Sequence, residues 1–264
     1  VTEFIVKMVN PQLWEKIMDP ACWTGGFLTC TIEHLRKQVK TSEDEEIIAD
    51  KLFWNELKQL PHLLATTNMI LHWVEIPKNL KHDNSLSYRV TDFDEKDKMD
   101  CFVMNPPFGW TVQDWVLTNF PKKFQTKETA YLFLVYVFYR LKKHWRVGIV
   151  LPDGGIMSWE NISEIEIKKK WLEEHNLHTI VRLPNGIFSP YTGIKTNLLF
   201  FDKWTPTKDI WYYEHPLPEG YKTYNKSKPV RIEEFDLEKK WWNNRVESEN
   251  SWKVSIEAVS YTHL

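Results

Sequence analysis

Two short stretches carry residue types that could do chemistry. The first is Asp19-Pro20-Ala21-Cys22-Trp23-Thr24-Gly25-Gly26-Phe27. An aspartate closing an apolar run, followed by small residues that lead into a helix, suits a nucleotide-type cofactor. Glycines let the backbone approach such a ligand, which sits beyond the carboxyl ends of the strands. The spacing is not Gly-x-Gly-x-x-Gly, and no Gly-Lys-Ser/Thr phosphate loop is present; a tight strand–helix turn is the alternative reading. The second stretch is Asn105-Pro106-Pro107-Phe108, directly behind an apolar run. Its two prolines remove two backbone donors and fix φ, so the adjoining carbonyl is held rigid and free to accept. With the Asn side-chain oxygen it makes a two-acceptor clamp for an exocyclic NH₂ group, and Phe108 offers a face for a planar base. A Pro-Pro strand stop is the plainer alternative.

The elements that must position these stretches alternate between strand and helix signals, which points to an α/β sheet protein. Strands are expected at 16–20, 51–57, 100–104, 147–151, 178–183 and 196–201, the fourth closed by Pro152-Asp153-Gly154-Gly155. Helices are expected from Phe27 to about Lys40, from Pro61 to His72, from Thr129 to Lys143 (largely apolar and buried on most sides) and from Glu164 to Glu174. The acidic run Ser42 to Glu46 suits a solvated loop or a helix start. After Lys203 the pattern weakens into Pro-, Tyr- and Trp-rich segments. This divides the chain into 1–203, which holds both motifs, and a 204–264 extension that wraps the domain or docks on a partner.

The 264 residues hold 34 Lys+Arg against 36 Asp+Glu, a net charge of −2. A free-standing nucleic-acid binder would be basic, so any work on DNA or RNA would need a partner's grip. Cys22, Cys30 and Cys101 form neither a metal-ligand spacing nor a disulfide framework, which suits a reducing cytoplasm. The histidines show no ligand spacing, and no metal site is expected. No apolar run approaches the roughly 20 residues of a membrane span. The chain opens on Val1 and not Met, and is expected to be a fragment.

In this order, about 80 residues apart, the two motifs resemble the S-adenosylmethionine-dependent amino-methyltransferases. The resemblance sharpens with Leu151 to Gly154, Ile180-Val181-Arg182-Leu183-Pro184-Asn185-Gly186 and Tyr191-Thr192-Gly193-Ile194-Lys195-Thr196-Asn197-Leu198-Leu199-Phe200-Phe201. These stretches are similar to the modification subunit of type I restriction-modification systems, from Val1 to about Val259. Members also carry an amino-terminal helical region and a Thr-Pro-Arg segment ahead of the position of Val1.

The resemblance implies a Rossmann-like methyltransferase sheet flanked by helices, mostly parallel with the last strand antiparallel, and adenine-N6 methylation of DNA. It implies S-adenosylmethionine as cofactor, with a specificity subunit and a restriction subunit as partners. Asp19, Ala21, Phe27 and the Thr24-Gly25-Gly26 turn would hold the methionine part of the cofactor, Glu56 the ribose hydroxyls, and Asn84 would lie near its adenine. Asn105 and the Pro106 carbonyl, stiffened by Pro107, would accept from the target amine while Phe108 stacks on a flipped-out base. Rival readings are methylation of a glutamine amide or RNA base, and a cofactor-blind scaffold that docks the specificity subunit.

Two residue counts are abnormal. Ordinary usage of about 7% predicts roughly 18 glycines, yet the chain has 9, while tryptophan, normally among the rarest residues, occurs 14 times. At Trp14, Trp23, Trp54, Trp73, Trp110, Trp115, Trp145, Trp159 and Trp204 the resemblance or the turn context predicts glycine. Trp171, Trp211, Trp241, Trp242 and Trp252 look native. UGA codons that mean glycine in the source and were translated as tryptophan would account for all nine. Ser260-Tyr261-Thr262-His263-Leu264 also departs from the family pattern and suits translated vector or adapter sequence.

Overall fold

The computed structural model describes residues 1–72, 78–154, 161–189 and 191–256. Gly155, Trp73, Trp159 and the closing 260–264 segment lie outside the described residues. In chain order the elements are α1 (Thr2–Val9), β1 (Ile17–Asp19), α2 (Gly26–Arg36), α3 (Ser42–Lys51), β2 (Leu52–Glu56), α4 (Gln59–Leu71), β3 (Leu80–His82) and β4 (Met99–Met104). They continue with α5 (Asp114–Leu117), α6 (Thr129–Arg140), β5 (Leu141–Pro152), α7 (Ile162–Glu174), β6 (Asn176–Arg182), β7 (Thr196–Asp202), β8 (Asp209–Glu214), α8 (Asp236–Asn243) and β9 (Ser251–Ser255).

Among the described residues the strands form one sheet in the order β3-β2-β1-β4-β5-β7-β6-β8-β9. The β3-β2-β1-β4-β5 run is parallel throughout. β7 enters antiparallel between β5 and β6, as expected for the strand that closes such a sheet. Every residue of β4 is buried, because helices cover both faces of a parallel sheet and leave no wet side. On one face α6, buried along Thr129–Phe138, packs with Trp171 and Leu172 of α7. On the other, Phe4, Ile5 and Val9 of α1 share a core with Phe27, Leu28 and Ile32 of α2.

Several boundaries differ from the sequence expectation. The helix expected to run to Lys143 stops at Arg140, because Leu141 is extended and pairs with Met99 of β4. The acidic run is a full helix, α3, started by a capping box between Thr41 and Asp44. The weakly patterned tail is part of the sheet: β8 pairs parallel with β6, and β9 pairs antiparallel with β8. Just before α8, Phe235 stacks on Phe4 of α1 at 4.6 Å between ring centroids.

Gly148 in β5 is where α1 meets the sheet. A Cβ there would lie 2.5 Å from Ile5 Cγ2 and 2.7 Å from Val9 Cγ2, so only glycine lets the helix approach. Gly148→Ala is expected to cost about 1–3 kcal/mol through overpacking, seen as a lower urea midpoint at unchanged m-value.

Candidate active site

Successive connections run outward from β1 toward β2 and β3, and from β4 toward β5 and its neighbours, so the strand order reverses between β1 and β4. Ligands of open α/β sheets sit at that reversal, beyond the carboxyl ends of the strands. Asp19 is the last residue of β1, Glu56 is the last of β2, and Asn105 follows β4 directly. The fold therefore brings the two sequence motifs to one rim.

Backbone donors hold the carboxylates. Asp19 is buried, and its Oδ1 accepts from the Ala21 N–H at 3.0 Å. Burial pushes its carboxyl well above the ordinary carboxylate range; the Ala21 N–H works against that shift and the Glu56 charge adds to it. Glu56 Oε2 accepts from the Trp23 N–H at 2.9 Å, and its Oε1 from the Lys58 N–H at 2.7 Å. The Cys22 N–H donates to the Asn55 carbonyl at 2.9 Å, which ties the turn after β1 to the end of β2. The Ser85 hydroxyl donates to the Pro20 carbonyl at 2.8 Å and accepts from Asn55 Nδ2 at 3.0 Å. Asn84 Oδ1 caps the following turn through the Leu86 N–H at 3.0 Å.

A cleft of about 370 Å³ opens against these groups. Of the residues expected there, Ala21, Glu56, Asn84 and Pro107 line it, and Asp19 reaches it through the Ala21 amide. Thr24, Gly25 and Gly26 form the adjoining turn, with Gly25 at φ 88 as the N-cap of α2. Phe27 is not at the cleft; its ring is buried in the core under α2. Lys58 and Ser85 also line it without being marked by any motif, and Trp110, just past the Asn105–Phe108 stretch, lines it too.

The Asn105 side chain is held in an unusual state. Its Oδ1 is buried and has no hydrogen-bond partner among the described residues. Such an orphaned acceptor costs roughly 1–3 kcal/mol, and prolines at 106 and 107 remove the two nearest donors. The loop that follows is pinned to the start of α6. Glu128 accepts from the Gly109 N–H at 3.1 Å, and the Thr129 hydroxyl donates to the Trp110 carbonyl at 2.6 Å. Burial raises the Glu128 carboxyl above its ordinary range. Farther along the rim, Asn197 Nδ2 donates to Asp153 Oδ1 at 2.9 Å beside a second cleft of about 300 Å³.

Asn105, Pro106 and Phe108 do not line the cleft; they follow β4 directly on the same rim. The family profile described as N-6 DNA Methylase matches residues 1–263. The chain belongs to that family. It is 49% identical over 267 residues to the methylase subunit of the type I restriction enzyme EcoEI from Escherichia coli, covering 98% of this chain and 54% of the relative. A crystal structure of a modification subunit of a putative type I restriction enzyme from Vibrio vulnificus YJ016 superposes with a TM-score of 0.92 at 43% identity, covering 97% of this chain and 54% of that one. A structure described for complex assembly and conformational transition of the type I R-M system also has a TM-score of 0.92, at 36% identity, covering 99% and 56%. The chain thus spans about half the length of the relatives it matches.

The buried Asp19 gives a pH signature. Its carboxyl holds a proton more tightly folded than unfolded, so the folded state binds more protons above the ordinary carboxylate pKa of about 4. Stability must then fall as pH rises from there toward the raised value. Asp19→Asn is expected to flatten that slope, measured as unfolding free energy from urea titrations across the acidic to neutral range.

Proposed function

We propose that this chain carries the catalytic part of a DNA adenine-N6 methyltransferase, the modification subunit of a type I restriction-modification complex, with S-adenosylmethionine as cofactor. The observation that carries the reading is the buried, unpartnered Asn105 Oδ1 on the rim that also holds Glu56. S-adenosylmethionine supplies an activated methyl group on its sulfonium. Each Glu56 oxygen accepts one backbone N–H and keeps a lone pair for a ribose hydroxyl. The turn through Asp19, Ala21, Thr24, Gly25 and Gly26 takes the methionine part, with the buried Phe27 anchoring it, and Asn84 lies toward the adenine.

The target adenine leaves the duplex stack to reach the rim. Asn105 Oδ1 and the Pro106 carbonyl accept its two amine hydrogens, Pro107 stiffens the carbonyl, and Phe108 stacks on the ring. Accepting both hydrogens turns the nitrogen lone pair toward the methyl carbon, so catalysis rests on positioning and electrostatics. The same clamp would suit a glutamine amide or an RNA base. The identity to a type I methylase subunit favours DNA adenine.

Catalysis falls on residues 1–203, and the extension from 204 packs at the sheet edge and meets partner subunits. With a net charge of −2, the grip on DNA comes largely from a specificity subunit, while a restriction subunit cuts. The setting is cytoplasmic; no helix among the described residues is long and apolar enough to cross a membrane.

The test is methyl transfer from labelled cofactor to duplex DNA by the chain assembled with a specificity subunit, on a W23G/W110G background that keeps the cleft clear. Asn105→Ala is expected to lower transfer to adenine by about 10²–10³-fold without weakening cofactor binding. Labelling of RNA or of a glutamine peptide in preference to DNA adenine would overturn the assignment.

A further inference from the structure

The residues that crowd the cleft are themselves out of place. Asn10, Trp23 and His144 are the described non-glycine residues with positive φ. Asparagine and histidine enter that region readily, whereas a bulky aromatic there is an outlier. Trp23 has φ 52, and Glu56 contacts it only through its backbone N–H, a contact any residue could make. Its indole and that of Trp110 both line the cleft. The Lys58 ammonium lies between them, 5.9 Å from the Trp23 ring centroid and 3.8 Å from that of Trp110.

The fourteen tryptophans divide by their surroundings. Trp171 meets Phe201, Trp211 meets Trp241, Trp242 meets Phe200, and Trp252 stacks on Tyr212. These five are the ones the sequence marks as native, and each sits in an aromatic pair. Among the described residues, Trp14, Trp23, Trp54, Trp110, Trp115 and Trp145 have no such ring partner, and Trp204 meets only His144. Five of these seven, Trp14, Trp23, Trp110, Trp115 and Trp204, are between 43% and 66% exposed. Trp54 is the opposite, sealed inside β2 with its indole N–H unpaired.

We infer that Trp23 and Trp110 narrow the entry to the cofactor cleft, and that glycine is the residue the backbone at position 23 is built to carry. The left-handed conformation at position 23 costs glycine nothing, and losing both indoles removes two aromatic residues from the cleft lining. One cause covers all nine tryptophans at glycine-like positions, namely UGA codons that specify glycine in the source. The inference rests on reading the cleft as the S-adenosylmethionine site, and the test separates the two.

Calorimetry with S-adenosylmethionine would compare the chain as written with W23G, W110G and the double variant. W23N, which tolerates positive φ, is the control for folding. The double variant is expected to bind at least about tenfold tighter, and W23G to raise the midpoint of thermal unfolding by about 2–4 °C. Equal affinity for the chain as written and the double variant would overturn the inference. Adenosine, which lacks the methionine part, probes the Glu56 end alone. Adenosine binding that is lost in Glu56→Ala supports the cleft assignment even if the tryptophans prove harmless, whereas no adenosine binding by any variant overturns the cleft assignment and the inference together. The codons give a readout independent of binding: TGA at the nine positions with TGG at the other five supports the glycine assignment, and TGG at all fourteen overturns it.

Discussion

Everything at the rim depends on β1 lying parallel between β2 and β4. Ile17 pairs with Leu52 on one side and with Cys101 on the other, and β1 is only three residues long. So short a strand has little side-chain pattern to fix its register, and a slip of one residue would turn Asp19 to the opposite face. Polar groups at its base supply what the pattern lacks. The Lys16 N–H donates to Asp100 Oδ2 at 2.8 Å, and the Lys16 carbonyl accepts from the Asp100 and Cys101 amides. Buried Glu15 pairs with Arg146 of β5 at 2.9 Å and accepts from Cys101 Sγ at 3.0 Å. With the lower edge tied across three strands, the positions of Asp19, Glu56 and Asn105 at the upper edge follow.

Along β1, β2 and β4 the upper ends are poorer in internal compensation than the lower ends. Asp100 and Glu15 have cationic partners, but buried Asp19 faces Glu56 with only the Ala21 amide against its charge. Asn105 has an acceptor with nothing to accept. A stable fold rarely leaves such groups unsatisfied without a functional reason. The contrast between the two ends of the same strands is therefore an argument for a ligand at one end.

The sequence revealed the site where local chemistry is unusual and concealed it where tertiary pairing decides. Asp19 to Gly26 and Asn105 to Phe108 stand out because few strand ends carry those residue types together. The helix containing Phe27 was visible from its spacing, but the inward burial of that ring was not, because its neighbours come from α1 and α4. β3 has only three residues, Leu80-Lys81-His82, largely open to solvent, and shows no alternation to detect. β8 and β9 lie in an aromatic-rich tail, where β8 is a strand because β6 offers an edge and β9 because β8 does. Leu141 belongs by composition to the apolar helix before it, and pairing with Met99 takes it into β5. Lys58 is an ordinary surface lysine in sequence, and only the fold sets it between two indoles.

The rim also carries a second cleft. β4, which Asn105 follows, lies between β1 and β5 in the sheet, with one cleft on the β1–β3 side and a second along β5–β8. That second cleft carries Arg182, Lys195 and Lys222 against Asp153 and Glu214. Arg182 lies 3.8 Å from Asp153, which also accepts from Asn197, and Glu214 is beside them. Phosphate binding scales with the number of uncompensated cations, and an excess of one cation in this cleft is a small electrostatic footprint. So small a local excess matches the nearly balanced charge of the whole chain, −2, and under the proposed function the grip on DNA comes largely from elsewhere in the complex.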